Sequence, residues 1–97
     1  MAHTLSEVER QSALGQLPGW RFDESTNALV KEFKFKSFVE AFGFMARVAL
    51  VVQAADHHPD WSNSYNRVTV AFSTHDAGGV TARDTELAGK VEALSRT

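Results

Sequence analysis

The 97-residue sequence has no cysteine, only two prolines, no excess of positive charge and no apolar run long enough to cross a bilayer. Without cysteine there is neither a disulfide framework nor a thiolate metal site, which fits a reducing compartment. The apolar run Val48 to Val52 falls far short of the roughly 20 residues a spanning helix needs. The N-terminus lacks a basic segment followed by an apolar core, so neither export nor membrane insertion is expected and the cytoplasm is the expected location. Ten Lys and Arg against twelve Asp and Glu leave a net charge of -2, which gives no electrostatic basis for binding nucleic acid or an anionic membrane. The two prolines, Pro18 and Pro59, punctuate element ends, and there is no linker, repeat or low-complexity tract. Residues 1–97 therefore read as a single domain.

What is present suffices for a compact core. Apolar residues make up 43% and charged residues 23% of the chain, and a chain of this size buries roughly 65% of its unfolded surface. Ser6-x-x-Glu9 has the form of a capping box and predicts a helix from Glu7 to Gln16, stopped by Leu17-Pro18-Gly19. Trp20 to Phe22 and Leu29 to Phe35 read as two strands around Asp23 to Asn27, with Leu29, Phe33 and Phe35 on one face and Val30, Glu32 and Lys34 on the other. Ser37-x-x-Glu40 opens a central helix from Phe38 to Ala55, whose apolar stripe is expected at Phe38, Phe42, Met45, Val48 and Val52, widened by Ala41 and Ala49. Trp61 to Tyr65 and Val68 to Thr74 form a second hairpin about Asn66-Arg67. After Gly78-Gly79, Thr81-x-x-Asp84 opens a last helix carrying Leu87, Ala88, Val91 and Leu94. The order α-β-β-α-β-β-α predicts an α+β two-layer sandwich, with a four-stranded antiparallel sheet and three helices on one face.

The chemistry is concentrated between His57 and Asp84. Histidine has the unperturbed pKa closest to neutrality, so His57, His58 and His75, separated by one hairpin, are candidates for a paired proton donor and acceptor. His3 lies apart in the N-terminal tail. A bland reading exists for each: His57-His58 would sit well at the C-terminal end of a helix dipole, and Asp84 would complete the capping box with Thr81. Three histidines and a carboxylate also make a conceivable zinc set, but adjacent histidines rarely chelate one ion and no His-x-x-x-His spacing is present, so no metal is expected.

The segment from His57-His58-Pro59-Asp60-Trp61 through Asn63-Ser64-Tyr65-Asn66-Arg67, continued by Thr74-His75 and Gly79-Val80-Thr81-Ala82-Arg83-Asp84, closely resembles the pterin-4a-carbinolamine dehydratase family. The resemblance extends upstream through Leu17-Pro18-Gly19-Trp20, Phe33-Lys34-Phe35 and the central helix. It implies that a 4a-hydroxytetrahydropterin loses water to give quinonoid dihydropterin in support of tetrahydrobiopterin recycling, with no metal or redox cofactor. By resemblance His57 and His75 are the acid and base, His58 binds and orients the pterin, and Asp84 supports an imidazole, for which His75 is the expected partner. The pattern departs at Gln53, where the family often carries glutamate; Gln53 can hydrogen-bond but carries no charge, and Asp56 is the nearest carboxylate. The resemblance further implies a homodimer or homotetramer. A protein partner such as an aromatic amino acid hydroxylase or a transcription factor is also implied, because animal members bind and stabilise a dimeric homeodomain factor. A non-catalytic binding module on the same fold is therefore the alternative, although retention of all three histidines favours the enzyme.

Overall fold

The computed structural model describes residues 3–97. Among them are helices α1 (Glu7–Leu14), α2 (Phe38–Ala55) and α3 (Ala82–Leu94), strands β1 (Arg21–Asp23), β2 (Ala28–Lys34), β3 (Asp60–Ser64) and β4 (Arg67–Phe72), and a short 3-10 turn at His75–Ala77. The strands form one antiparallel sheet in the order β1-β2-β4-β3. Both hairpins join neighbouring strands, and the pairing of β2 with β4 brings the two hairpins together. The architecture is the α+β sandwich expected from the pattern.

Alternation along the strands decides which face is covered. Val68, Val70 and Phe72 on β4 are fully buried, and Leu29 and Phe33 lie opposite Phe72 and Val68 on β2. Ala41, Phe44, Val48 and Val52 of α2 and Leu87, Ala88 and Val91 of α3 close the core from the helical side. The α1 helix lies beside α3 near the β1 edge, with the Arg10 guanidinium 4.0 Å from the centre of the Phe22 ring. Lys31 also points to the helical side, where Nζ donates to Glu92 Oε1 and to the Pro18 carbonyl, each at 2.7 Å, while Trp20 Nε1 donates to the same Glu92 oxygen at 3.0 Å. One carboxylate thereby ties the end of α3 to β2 and to the approach to β1.

Two expectations are corrected. The buried stripe of α2 runs through Ala41, Phe44, Val48 and Val52, whereas Phe38, Phe42 and Ala49 face outward. This helix is apolar on nearly every side, with a mean hydropathy of 1.6 over its 18 residues, so periodicity does not single out the inward face. The second hairpin turns at Tyr65-Asn66 rather than Asn66-Arg67, with Tyr65 in the left-handed region and the Asn63 side-chain amide donating to the Tyr65 and Arg67 carbonyls. The side chain of Asn63 closes the turn, which removes the need for glycine there.

The ends of α2 and α3 position the site. Asp56 caps α2 in the left-handed conformation (φ 53°), a conformation Asp tolerates better than most residues, and swings the chain out of the helix so that His57 follows at once. Thr81 and Asp84 cap α3 reciprocally, Asp84 occupying the third helical position.

Candidate active site

His57, His58 and His75 line one cleft of about 500 Å³, together with Asp56, Asp60 and Arg83. The chain brings them there from four elements. His57 and His58 leave the end of α2, Asp60 opens β3, His75 begins the turn after β4, and Arg83 lies in the first turn of α3. Arg83 Nη2 donates to the carbonyls of Ala55 and Asp56 at 3.4 and 3.2 Å, satisfying the open C-terminal end of α2 and holding the two helix ends together.

The innermost part of the cleft is a buried polar node. His57 Nε2 lies 2.6 Å from Asp84 Oδ1, and the imidazole stacks on Phe72 at a centroid distance of 6.2 Å and an angle of 11°. A carboxylate only accepts, so His57 donates through Nε2 and leaves Nδ1 for other work. The second carboxylate oxygen, Oδ2, accepts from the Thr74 hydroxyl and from the Thr81 backbone N–H, both at 2.8 Å. With the Thr74 proton committed to Asp84, the Thr81 hydroxyl donates to Thr74 Oγ1 at 2.8 Å and itself accepts from the Arg83 backbone N–H. Asp84 is fully buried, yet each of its oxygens has a partner and it sits at the positive end of a helix dipole.

The other two imidazoles are held by different groups. His58 Nε2 is 2.9 Å from Gln53 Oε1, one turn back on α2. His75 Nε2 is 3.8 Å from Asp60 Oδ2, an ion-pair separation rather than a hydrogen bond. Each ring thus faces its own partner through Nε2: Asp84, Gln53 and Asp60.

The pairing of Asp84 with His75 expected from the sequence is corrected: Asp84 holds His57. The reason is the extended backbone at Thr74, which sends successive side chains to opposite sides. Thr74 points inward to Asp84, so His75 points outward toward Asp60. His75 also lies beyond β4 in the 3-10 turn rather than at the strand's end. Thr74, Thr81 and the bracing role of Arg83 were missed from sequence. The Thr81 box was visible, but nothing local shows that its hydroxyl continues to Thr74. Trp61 packs against the core, Tyr65 projects from the hairpin tip, and His3 does not line the cleft but lies against Thr81, Ala82 and Arg83. Among the described residues no group of three His, Cys, Asp or Glu side chains is close enough to hold a metal ion.

Comparison with known proteins now decides the family. The model of the family described as Pterin 4 alpha carbinolamine dehydratase matches residues 3–94. The chain belongs to this family, and with it to the hydro-lyases. It is 52% identical over 95 residues to a Rhodopseudomonas palustris protein named "Putative pterin-4-alpha-carbinolamine dehydratase", covering 98% of this chain and 94% of that protein. A solved structure from Brucella melitensis, described as a transcriptional coactivator/pterin dehydratase, superposes with a TM-score of 0.92 at 45% identity, covering 96% of this chain and 99% of the other. The fold also recurs, at 22% identity and a TM-score of 0.68 over 79% of this chain and 89% of the other, in a pterin dehydratase-like RuBisCO assembly factor of the alpha-carboxysome.

Proposed function

We propose that the chain dehydrates 4a-hydroxytetrahydropterin to quinonoid dihydropterin by histidine acid–base catalysis, supporting tetrahydrobiopterin recycling in the cytoplasm. The observation that carries this reading is the convergence of three imidazoles on one cleft, each with Nε2 facing a different partner. The C4a–O bond breaks as an acid delivers a proton to the departing hydroxyl, C4a and N5 form a double bond, and a base removes the N5 proton. One water leaves, and the proton count and oxidation state balance without a redox cofactor. A positioned acid and a positioned base are each worth about 10²–10⁴-fold. His57 and His75 supply the two functions; His58, held by Gln53, orients the pterin. Asp84 acts through His57, fixing its tautomer. Asp60 takes the place beside His75 that the sequence reading gave to Asp84.

The test is the decay of freshly generated 4a-hydroxytetrahydropterin, followed by ultraviolet absorbance with wild-type protein, His75→Ala protein and buffer alone. Acceleration by wild type and loss of most of it in His75→Ala is the expected result. A His75→Ala protein as fast as wild type would sink the histidine mechanism.

The outward face of α2 supports self-association in the same reading. Val39, Phe42, Ala46, Ala49 and Gln53 follow a three-four spacing and all face outward, with Val39 78%, Phe42 59% and neighbouring Leu50 75% exposed. Such a seam packs well against its own copy in a helix pair, giving a homodimer or, with two contacts, a homotetramer. Phe42→Glu with Leu50→Glu should yield a monomer by light scattering. The same face favours a second reading, a non-catalytic module that receives another protein, such as a transcription factor or an aromatic amino acid hydroxylase. In that case the helix substitutions abolish partner binding and the histidine substitutions are silent.

A further inference from the structure

The His75 side chain does little to place itself. It is exposed, and its ion-pair partner Asp60 stands 3.8 Å away. A proton donor or acceptor has to come within hydrogen-bond reach of the reacting atom, so the position of this ring is set through its backbone. That backbone is a closed loop. Thr74 and Gly79 bond each other, N–H to carbonyl, at 2.9 and 3.2 Å, and the Ala77 and Gly78 N–H groups turn back to the Thr74 carbonyl. On its inner side the loop is fixed by the Thr74 hydroxyl, which donates to Asp84. With that attachment alone it would be free to pivot about Thr74.

A second attachment comes from the turn between β1 and β2. Asn27 Nδ2 donates to the Gly78 carbonyl at 2.8 Å, and the Asn27 carbonyl accepts from the Ser73 hydroxyl at 3.0 Å. One residue thus grips the chain on both sides of His75. Gly79 lies against the same amide, where a Cβ would come within 2.9 Å of Nδ2, so glycine permits the approach. The residue type at 27 is specified twice over. Its φ of 55° lies in the left-handed region, which Gly, Asn and Asp tolerate best. The Gly78 carbonyl only accepts, and of those three residues asparagine alone has a side-chain N–H to donate.

We infer that Asn27 is a positioning residue for the dehydration, acting through His75 by anchoring the outer side of its loop. This inference rests on the dehydratase reading above. Asn27 does not line the imidazole cleft, so its influence on the reaction passes through the loop and not through the pterin. Its bonds to Ser73 and Gly78 are exposed to water and govern the opening of one short segment, not the unfolding of the domain. Loss of the amide therefore leaves the core and the His57 node intact and lets the His75 ring wander. The consequence falls on the chemical step, because His57 and His58 still receive the substrate.

The test measures kcat and KM for 4a-hydroxytetrahydropterin in wild type, Asn27→Gly and Gly79→Ala, each with and without His75→Ala. Asn27→Gly keeps the left-handed turn and removes the amide. It should lower kcat by about three- to tenfold, the range for one net hydrogen bond, with KM and the urea midpoint close to wild type. In the His75→Ala background the same substitution should leave the residual rate unchanged, because its route to the reaction is already gone. Gly79→Ala pushes a methyl group against the same amide and should match Asn27→Gly. The two combined should be no slower than either alone, since Asn27→Gly makes room for that methyl. Backbone amide order parameters of His75 to Gly79, from NMR relaxation, should fall from about 0.85 toward about 0.6 in Asn27→Gly while those of α2 and α3 hold. Wild-type kcat in Asn27→Gly, or an equal loss with and without His75, overturns the assignment while the dehydratase stands. A wild-type protein that accelerates nothing removes the dehydratase reading and the assignment together.

Discussion

His57 and His75 border the same cleft, yet the side chain of His57 is 9% exposed and that of His75 is 81% exposed. Their carboxylate partners differ in the same way, Asp84 being wholly buried and the Asp60 side chain 82% exposed. The inner pair belongs to a chain of donors and acceptors running through Thr74 and Thr81 into the first turn of α3. The outer pair is two side chains facing water at 3.8 Å. The difference teaches that two histidines of one cleft are related to the fold in opposite ways: His57 is part of a buried network, and His75 stands at its edge in water.

The largest break in that contrast is expected from Asp84→Ala. It deprives the Thr74 hydroxyl, the Thr81 N–H and His57 of their acceptor at once and removes half of the α3 capping box. The loss should reach about 3–5 kcal/mol, the range for breaking a buried charged network, read from urea unfolding followed by circular dichroism. An Asp84→Ala protein with wild-type stability would show that the node contributes nothing to the fold.

Next comes the direct comparison of the two histidines. His57→Ala should lose dehydration and also unfold at lower urea, because Asp84 keeps its burial but loses a partner and Phe72 loses the ring stacked on it. His75→Ala should lose dehydration with an unchanged urea midpoint, since an exposed pair is worth little. Parallel loss of stability in both variants would erase the distinction drawn here.

The smallest effect sharpens the comparison by using a second capping box. Ser6 and Glu9 on α1 repeat the geometry of Thr81 and Asp84 in full exposure. The Ser6 backbone N–H, followed by its hydroxyl, holds the Glu9 carboxyl below its ordinary value of 4.5. A depressed folded value stabilises the protein above the unfolded value and loses that contribution as pH falls through the folded one. Wild type should therefore unfold at slightly higher urea than Glu9→Gln at neutral pH, with the gap closing below pH 4.5. A gap independent of pH would mean that the charge of Glu9 is irrelevant to its cap.

The element order was legible because its signals are local. Three Ser or Thr caps, four changes of hydrophobic period and the turns at Pro18-Gly19 and Gly78-Gly79 lie within a few residues of what they control. The site residues were legible as an ordered set, and the cleft gathers His57, His58 and His75, with Asp84 behind. Their pairing was not legible. Asp84 meets His57 across 27 residues only because α3 docks beside the end of α2, and whether Thr74 or His75 faces inward depends on the register of β4. The inward face of α2 was hidden for a different reason: Phe38 and Phe42 are as apolar as Phe44, and only docking on the sheet distinguishes them.

One carboxylate on α3, Glu92, accepts from both Trp20 and Lys31 near the end of the helix opposite Asp84. Together the two acidic residues make α3 the element on which distant parts of the chain depend. During synthesis the sheet and α2 emerge first, with Lys31, Trp20 and His57 waiting for partners not yet translated. Vectorial synthesis therefore cannot yield a partly working enzyme: until α3 has left the ribosome and docked, the nascent chain has neither a closed core nor an anchored His57.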